Sequence, residues 1–257
     1  MRSLLLLFAL VFASQDASAE AHQEFAVEGV IVPGNHTRLD TVHGAVHVWV
    51  PEGYNAETAT LVVYIHGYFV EVDDAWWAHG LPEQFGAAGI NALFVVPESP
   101  SGSYDRVRWE SITDLALTIE DSIGEKMPKG RRVVIGHSGA YRTMANWLSD
   151  PNLDMVVMLD AGYGPHEPFI EWARKERNHR LISLSTMTTY WGNAVHRALG
   201  SRVIDDFSTL GPRTLESLSR ERLVHVHAPG LDHWQVVTVG LNVTLQMLRA
   251  VKLAPAP

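Results

Sequence analysis

A chain of 257 residues with 46% hydrophobic side chains can bury one sizeable core, and with no cysteine it relies on no disulfide to do so. The missing cysteine also excludes thiol nucleophiles, thiolate metal sites and a lipid-anchored amino terminus. The formal charge of −9 is spread along the sequence with no basic cluster to grip phosphates, which argues against nucleic acid as a partner.

The chain opens on Met1-Arg2, an apolar run over residues 4–13, and Ala17-Ser18-Ala19, a small-x-small site of the kind signal peptidases cut. Residues 1–19 are therefore read as a cleaved export signal, with a mature domain over 20–257 that is secreted or periplasmic. The apolar run is shorter than the roughly 20 residues a bilayer span needs, and no later stretch reaches that length, so no stable membrane insertion is expected.

Two strands follow, over 25–32 and 45–50, with Pro33-Gly34-Asn35 as the turn between them. Strand and helix then alternate. Strands are expected over 61–65, 92–96, 133–135, 155–159, 180–184 and 223–227. Helices are expected over 74–88 (with Pro82 as an irregularity), 111–127, 141–148, 167–178, 191–199 and 233–251. Eight strands in this order imply an α/β architecture, a mostly parallel sheet with helices on both faces. About twenty residues separate the sixth and seventh strands, enough for one helix and too few for a large cap domain.

The segment Gly136-His137-Ser138-Gly139-Ala140 lies where the fifth strand passes into a helix. A serine on so sharp a turn is held in strained backbone with its hydroxyl pushed out at the carboxyl edge of the sheet, and small flanking residues are needed to make the bend. The segment resembles the G-x-S-x-G nucleophile turn of the α/β-hydrolase family, departing from it only at Ala140, and the resemblance extends over essentially the whole mature chain. In that family the nucleophile follows the fifth strand, as Ser138 does here.

The resemblance implies a serine esterase or lipase-like hydrolase and places the rest of the machinery. A serine hydroxyl needs an imidazole to take its proton, and the imidazole needs a carboxylate to fix its tautomer. The family's histidine lies after the last strand, where Ala228-Pro229-Gly230-Leu231-Asp232-His233-Trp234 offers His233; His196, inside a helix, is the alternative. The acid follows the seventh strand or, in a minority, the sixth. Ser185-Thr186-Met187-Thr188-Thr189-Tyr190 has no carboxylate, whereas Asp160 ends the sixth strand before a glycine-rich turn. Asp160 is thus the candidate acid, with Asp205 or Asp206 in reserve and Asp232 a poorer choice beside its own histidine. The loop His66-Gly67-Tyr68-Phe69 is similar to the HG-type oxyanion loop, so Gly139 and Tyr68, or else Phe69, would supply the amides. Tyr68, Phe69 and Trp234 are the candidate substrate-binding side chains.

No cofactor or metal is expected. His225, His227 and His233 faintly resemble a dinuclear zinc signature, but Asp232-His233 follows too far behind the first pair, and no H-E-x-x-H helix occurs. His225 and His227 read instead as partly exposed imidazoles on one strand face. Eight aromatic residues, Trp76, Trp77, Tyr104, Trp109, Tyr163, Tyr190, Trp191 and Trp234, fall in segments expected near the carboxyl edge. The reading is a carboxylic ester hydrolase acting on a small-molecule or polymeric ester. An amidase or peptidase with the same triad, or a non-catalytic binding protein on this fold, remains open, as does the oligomeric state.

Overall fold

The computed structural model describes residues 33–205, 207, 219–238 and 243–253. Residues 1–19, read above as an export signal, the strand expected over 25–32 and Asp206 lie outside the described residues.

Strands β1 (Gly34–Thr41) and β2 (Gly44–Pro51) form an antiparallel pair, and β2 adds antiparallel to β4 (Ala92–Pro97). The other strands run parallel: β3 (Thr60–Ile65), β5 (Arg132–His137), β6 (Leu153–Leu159), β7 (Arg180–Ser185), β8 (Arg202–Ile204) and β9 (Leu223–His227). The sheet order is β1-β2-β4-β3-β5-β6-β7-β9-β8. Helices α1 (Val72–Ala78), α2 (Leu81–Ala88), α3 (Ile112–Ile123), α4 (Tyr141–Trp147), α5 (Glu167–Lys175), α6 (Thr189–Leu199) and α7 (Val243–Leu253) cover it.

Alternate residues of each central strand feed opposite layers, because a strand turns successive side chains to opposite faces. Val62 and Tyr64 of β3 pack in one layer with Phe85 of α2 and Leu248 of α7. Leu61, Val63 and Ile65 of the same strand pack in the other with Leu115 of α3 and Met144 of α4. A strand apolar on both sides is stable only when helices cover both faces, which accounts for the continuous apolar runs in the sequence.

The mostly parallel α/β sheet is as expected; seven of the eight expected strands fall among the described residues, where the sheet has nine, β1 and β8 being the additions. The expected turn at Pro33-Gly34-Asn35 is instead the start of β1, and the chain reverses between Thr41 and Gly44, where Gly44 takes φ 111°. The sequence of β1, GNHTRLDT, carries no apolar alternation because it is an edge strand exposed on both sides. The three residues of β8 are too few to leave a periodic signal. The helix expected over 74–88 breaks into α1 and α2 at Gly80, whose φ of 55° reverses the chain before Pro82 opens α2. Helix α3 begins at its Ser111 cap, whose hydroxyl accepts the Asp114 amide at 3.0 Å, and stops at Gly124 (φ 69°), short of residue 127. Helix α5 likewise stops at Lys175 rather than residue 178, and residues 233–238 form turns rather than the first part of the last helix.

Candidate active site

The parallel register brings the carboxyl ends of the central strands to one level: Ile65 pairs with Gly136, His137 with Leu159, and Leu159 with Leu184. Ser138 and Asp160 are the next residues after β5 and β6, so they leave neighbouring strands side by side. Among the described residues, three non-glycine residues have left-handed backbone, and all three lie at this edge: Phe69 (φ 65°), Ser138 (φ 53°) and Asp160 (φ 45°). Each such conformation costs of order 1 kcal/mol or more, and such strain collects at functional sites.

Glycines make the bend around Ser138 possible. A Cβ on Gly136 would come within 2.6 Å of the Met144 side chain and 2.9 Å of the Ala140 methyl, so Gly136 is what makes room for alanine at the motif's last position. A Cβ on Gly67 would lie 2.7 Å from Ser138 Cβ, and one on Gly139 would run into the Tyr68 ring. The loop after β3 therefore lies directly on the serine turn. Within that loop the Phe69 amide donates to the Ser101 carbonyl at 2.8 Å, while the Tyr68 amide has no internal partner among the described residues. Of the two candidate donors, the Phe69 amide is thus already committed. His66 is fixed below, its Nδ1 donating to the Gly67 carbonyl at 2.9 Å and its Nε2 lying 3.0 Å from Glu98 Oε1 at the end of β4.

His233 reaches the edge from a structured turn six residues past β9. Asp232 Oδ1 accepts the amides of Trp234 and Gln235, both at 2.8 Å, and the Asp232 amide donates to Gln235 Oε1 at 2.9 Å. Asp232 is therefore occupied as a turn cap. His233 Nδ1 donates to Asp160 Oδ2 at 2.6 Å.

The fully buried Asp160 carboxylate takes five further hydrogen bonds, all from the loop after β7. Its Oδ1 accepts the amides of Thr186 (3.0 Å) and Thr188 (2.9 Å) and the Thr188 hydroxyl (2.8 Å). Its Oδ2 accepts the Thr186 hydroxyl (2.7 Å) and, more weakly, the Met187 amide (3.3 Å). Burial alone would raise this carboxyl, but the bonds from His233, Thr186 and Thr188 outweigh it and hold the group below its ordinary value. The loop after β7, which carries no carboxylate of its own, holds the candidate acid Asp160 at the end of β6. Its hydroxyl-rich stretch Thr186-Met187-Thr188-Thr189 was the readable sign of this role.

A second histidine, unassigned from the sequence, ties the loops together. His137 is fully buried; its Nε2–H donates to the backbone carbonyl of His233 at 2.9 Å, and the two rings lie 4.5 Å apart. Burial, with His233 and His79 nearby, pushes His137 down to about 3, so it stays neutral, with its single proton on the Nε2 that faces the carbonyl. His137→Phe keeps ring bulk but leaves the His233 carbonyl without its donor. The expected result is a kcat lower by up to about a hundredfold with little change in KM, measured by steady-state kinetics at constant pH.

Ser138 and His233 open into one cavity of about 370 Å³, walled by Tyr68, Phe69, Tyr163, Met187 and Trp234. The candidate substrate-binding residues Tyr68, Phe69 and Trp234 thus lie together with Ser138. Tyr163 places its hydroxyl 3.3 Å from His233 Nδ1. Of the eight aromatics in these segments, most of them expected to be packing residues, Trp76, Trp109 and Trp191 are buried in the core, while Tyr163 and Trp234 line the cavity. The reserve candidates sit elsewhere: His196 Nδ1 pairs with Ser201 Oγ at 3.0 Å in α6, and Asp205 is exposed just past β8. His225 is buried against Ser183 Oγ at 3.0 Å rather than partly exposed, because helix α6 covers it: Gly192 lies on its ring. Among the described residues, no group of three or more histidine, aspartate or glutamate side chains is placed to hold a metal ion, and no helix is long and apolar enough to cross a membrane.

No family model and no curated protein sequence matches the chain. Solved structures do. A feruloyl esterase module from Clostridium thermocellum, complexed with sinapinate, superposes with a TM-score of 0.60 at 12% identity over 90% of this chain and 92% of that one. An S-formylglutathione hydrolase from Agrobacterium tumefaciens gives 0.52 at 14% identity, covering 88% and 97%. A ferulic acid esterase from Anaeromyces mucronatus gives 0.51 at 13% identity, covering 86% and 92%. With its crossed sheet order, the serine turn after β5 and these likenesses, the chain has the α/β-hydrolase fold.

Proposed function

We propose that this protein is an exported serine hydrolase that cleaves carboxylic esters through Ser138, His233 and Asp160. The observation that carries the reading is the 2.6 Å bond from His233 Nδ1 to a carboxylate held by five other donors, in a cavity that Ser138 shares. With Nδ1–H committed to Asp160, Nε2 is left as the basic nitrogen and takes the Ser138 proton as Oγ attacks the acyl carbonyl. The developing oxyanion is met by the amides of Gly139 and Tyr68. His233 then passes the proton to the leaving alcohol, the acyl group stays on Ser138, and water activated by the same imidazole releases the acid. No cofactor enters this sequence of steps.

Ester rather than amide chemistry is favoured by the neighbouring structures, whose names are those of ester and thioester hydrolases. The aromatic walls suit an apolar acyl group. The test is a panel of p-nitrophenyl esters of graded acyl length beside the matched anilides. Turnover of the esters well above the anilides is expected, with a preference for acyl groups that fill the cavity. Anilide turnover of equal size would make the protein an amidase, and no turnover of either series would make it a binding protein.

A further inference from the structure

Arg142 is the second residue of α4 and stands four positions after Ser138. Among the described residues its guanidinium meets no carboxylate; every acceptor is neutral. It donates to the backbone carbonyls of Asp105 (2.7 Å) and Ser103 (2.8 Å), more weakly to that of Gly102 (3.4 Å), and reaches the Tyr68 hydroxyl at 3.3 Å. Bonds from a cation are stronger than those between neutral groups, and the planar guanidinium holds several acceptors in one fixed fork.

The carbonyls it holds belong to the loop after β4, and that loop in turn holds the oxyanion loop. Residues 99–105 form no helix or strand, and Ser103 and Tyr104 are exposed, so packing does little to fix their path. Ser101, in the same loop, accepts the Phe69 amide at 2.8 Å. Phe69 needs such a hold. Its backbone is left-handed (φ 65°), which is strained for a residue with a Cβ, and its side chain, 87% exposed, is too open to anchor it by packing. Arg142 therefore fixes residues 102–105, and Ser101 passes that constraint to the peptide that follows Tyr68. From the other side the Tyr68 ring lies on Gly139, where a Cβ would come within 2.4 Å of it. Tyr68 is thus set between Gly139 and the Arg142 guanidinium.

We propose that Arg142 is a positioning residue of the oxyanion hole, holding the Tyr68 amide in line with that of Gly139, a role that rests on the esterase reading above. Arg142 touches no reacting atom and acts through the loop after β4. The two amides meet charge that develops only in the tetrahedral state. Misplacing one of them weakens that state and leaves ground-state binding as it was.

The test compares Arg142→Met, which keeps the bulk of the stem and drops every donor, with Arg142→Lys, which keeps the charge without the fork. Each is assayed with the p-nitrophenyl ester turned over best and with an alkyl boronic acid as inhibitor. The boronic acid mimics the tetrahedral state: Ser138 Oγ bonds to boron, the serine proton passes to His233, and one hydroxyl of the resulting boronate anion occupies the oxyanion position. In Arg142→Met, kcat/KM should fall by about thirtyfold, less than the cost of deleting a donor outright, with KM within about twofold. The Ki of the boronate should rise by the same factor. Arg142→Lys should show both changes, each smaller. Ki does not depend on how much of a sample is folded, so its parallel rise is a signature that a weakened fold would not produce. If Arg142→Met does not fold, the lysine variant carries the comparison. A boronate Ki unchanged in the variants overturns the positioning role, whether or not kcat falls, and so does a rise in KM that accounts for the whole loss. An intact protein that neither turns over the esters nor binds the boronate overturns the esterase reading, and the positioning role with it.

Discussion

Asp160→Asn is expected to lower kcat by about four orders of magnitude, the size of effect that follows when a triad carboxylate becomes an amide. The surroundings dictate why. The backbone amides of Thr186 and Thr188 both point at Oδ1, so an asparagine turns its oxygen toward them and its NH2 toward His233. That NH2 is a donor facing Nδ1, which forces the imidazole into the tautomer with its proton on Nε2, and the base is lost. Steady-state kinetics and the fold of the variant are the checks; near-normal turnover would remove Asp160 from the mechanism.

The same substitution has a signature in acid. The folded carboxyl lies below its ordinary value of 3.8, so the unfolded chain binds more protons in that range, and the stabilisation from Asp160 is complete only above it. As pH falls from about 5 through the depressed value this contribution is lost in the native protein, whereas asparagine has nothing to protonate. The stability difference between the native protein and Asp160→Asn, measured by urea unfolding at a series of pH values, should therefore shrink steadily toward acid. A difference constant with pH would mean that the carboxylate is not the stabilised species.

Ser138→Ala is expected to reduce kcat by about six orders of magnitude, since the base and acid have no purpose without the nucleophile. The neighbouring substitution Ser138→Gly separates function from folding. A left-handed φ of 53° is strained for any residue with a Cβ, and glycine relieves it. Ser138→Gly should be as inactive as the alanine variant yet more stable than the native protein by about 1 kcal/mol, read from thermal or denaturant unfolding. A loss of stability on Ser138→Gly would show that the turn is not strained.

The central sheet was legible because it is buried on both faces: runs such as Leu61-Val62-Val63-Tyr64-Ile65 can hardly be anything else between turn signals. What escaped was polar or short. Strand β1 is an exposed edge whose backbone pairing with β2 leaves no mark in its side chains, and β8 spans only Arg202–Ile204. At the candidate site, Ser138 and His233 were nominated from local motif and loop order, and Asp160 from its place after the sixth strand. The partners that make the arrangement work were not readable in that way. Thr186 and Thr188 act through backbone amides and hydroxyls on a residue 26 or 28 positions away, and His137 acts on a carbonyl 96 positions away. The hydroxyl-rich stretch itself is visible in the sequence, but which carboxylate it meets depends on register between strands, which no local pattern encodes.

The most direct measurement is labelling of the mature protein with a fluorophosphonate, followed by peptide mapping of the adduct. One equivalent of probe should attach, on the peptide that carries Ser138, and labelling should vanish in Ser138→Ala and fall sharply in His233→Ala. An adduct on another residue, or undiminished labelling of the Ser138→Ala protein, would contradict the account.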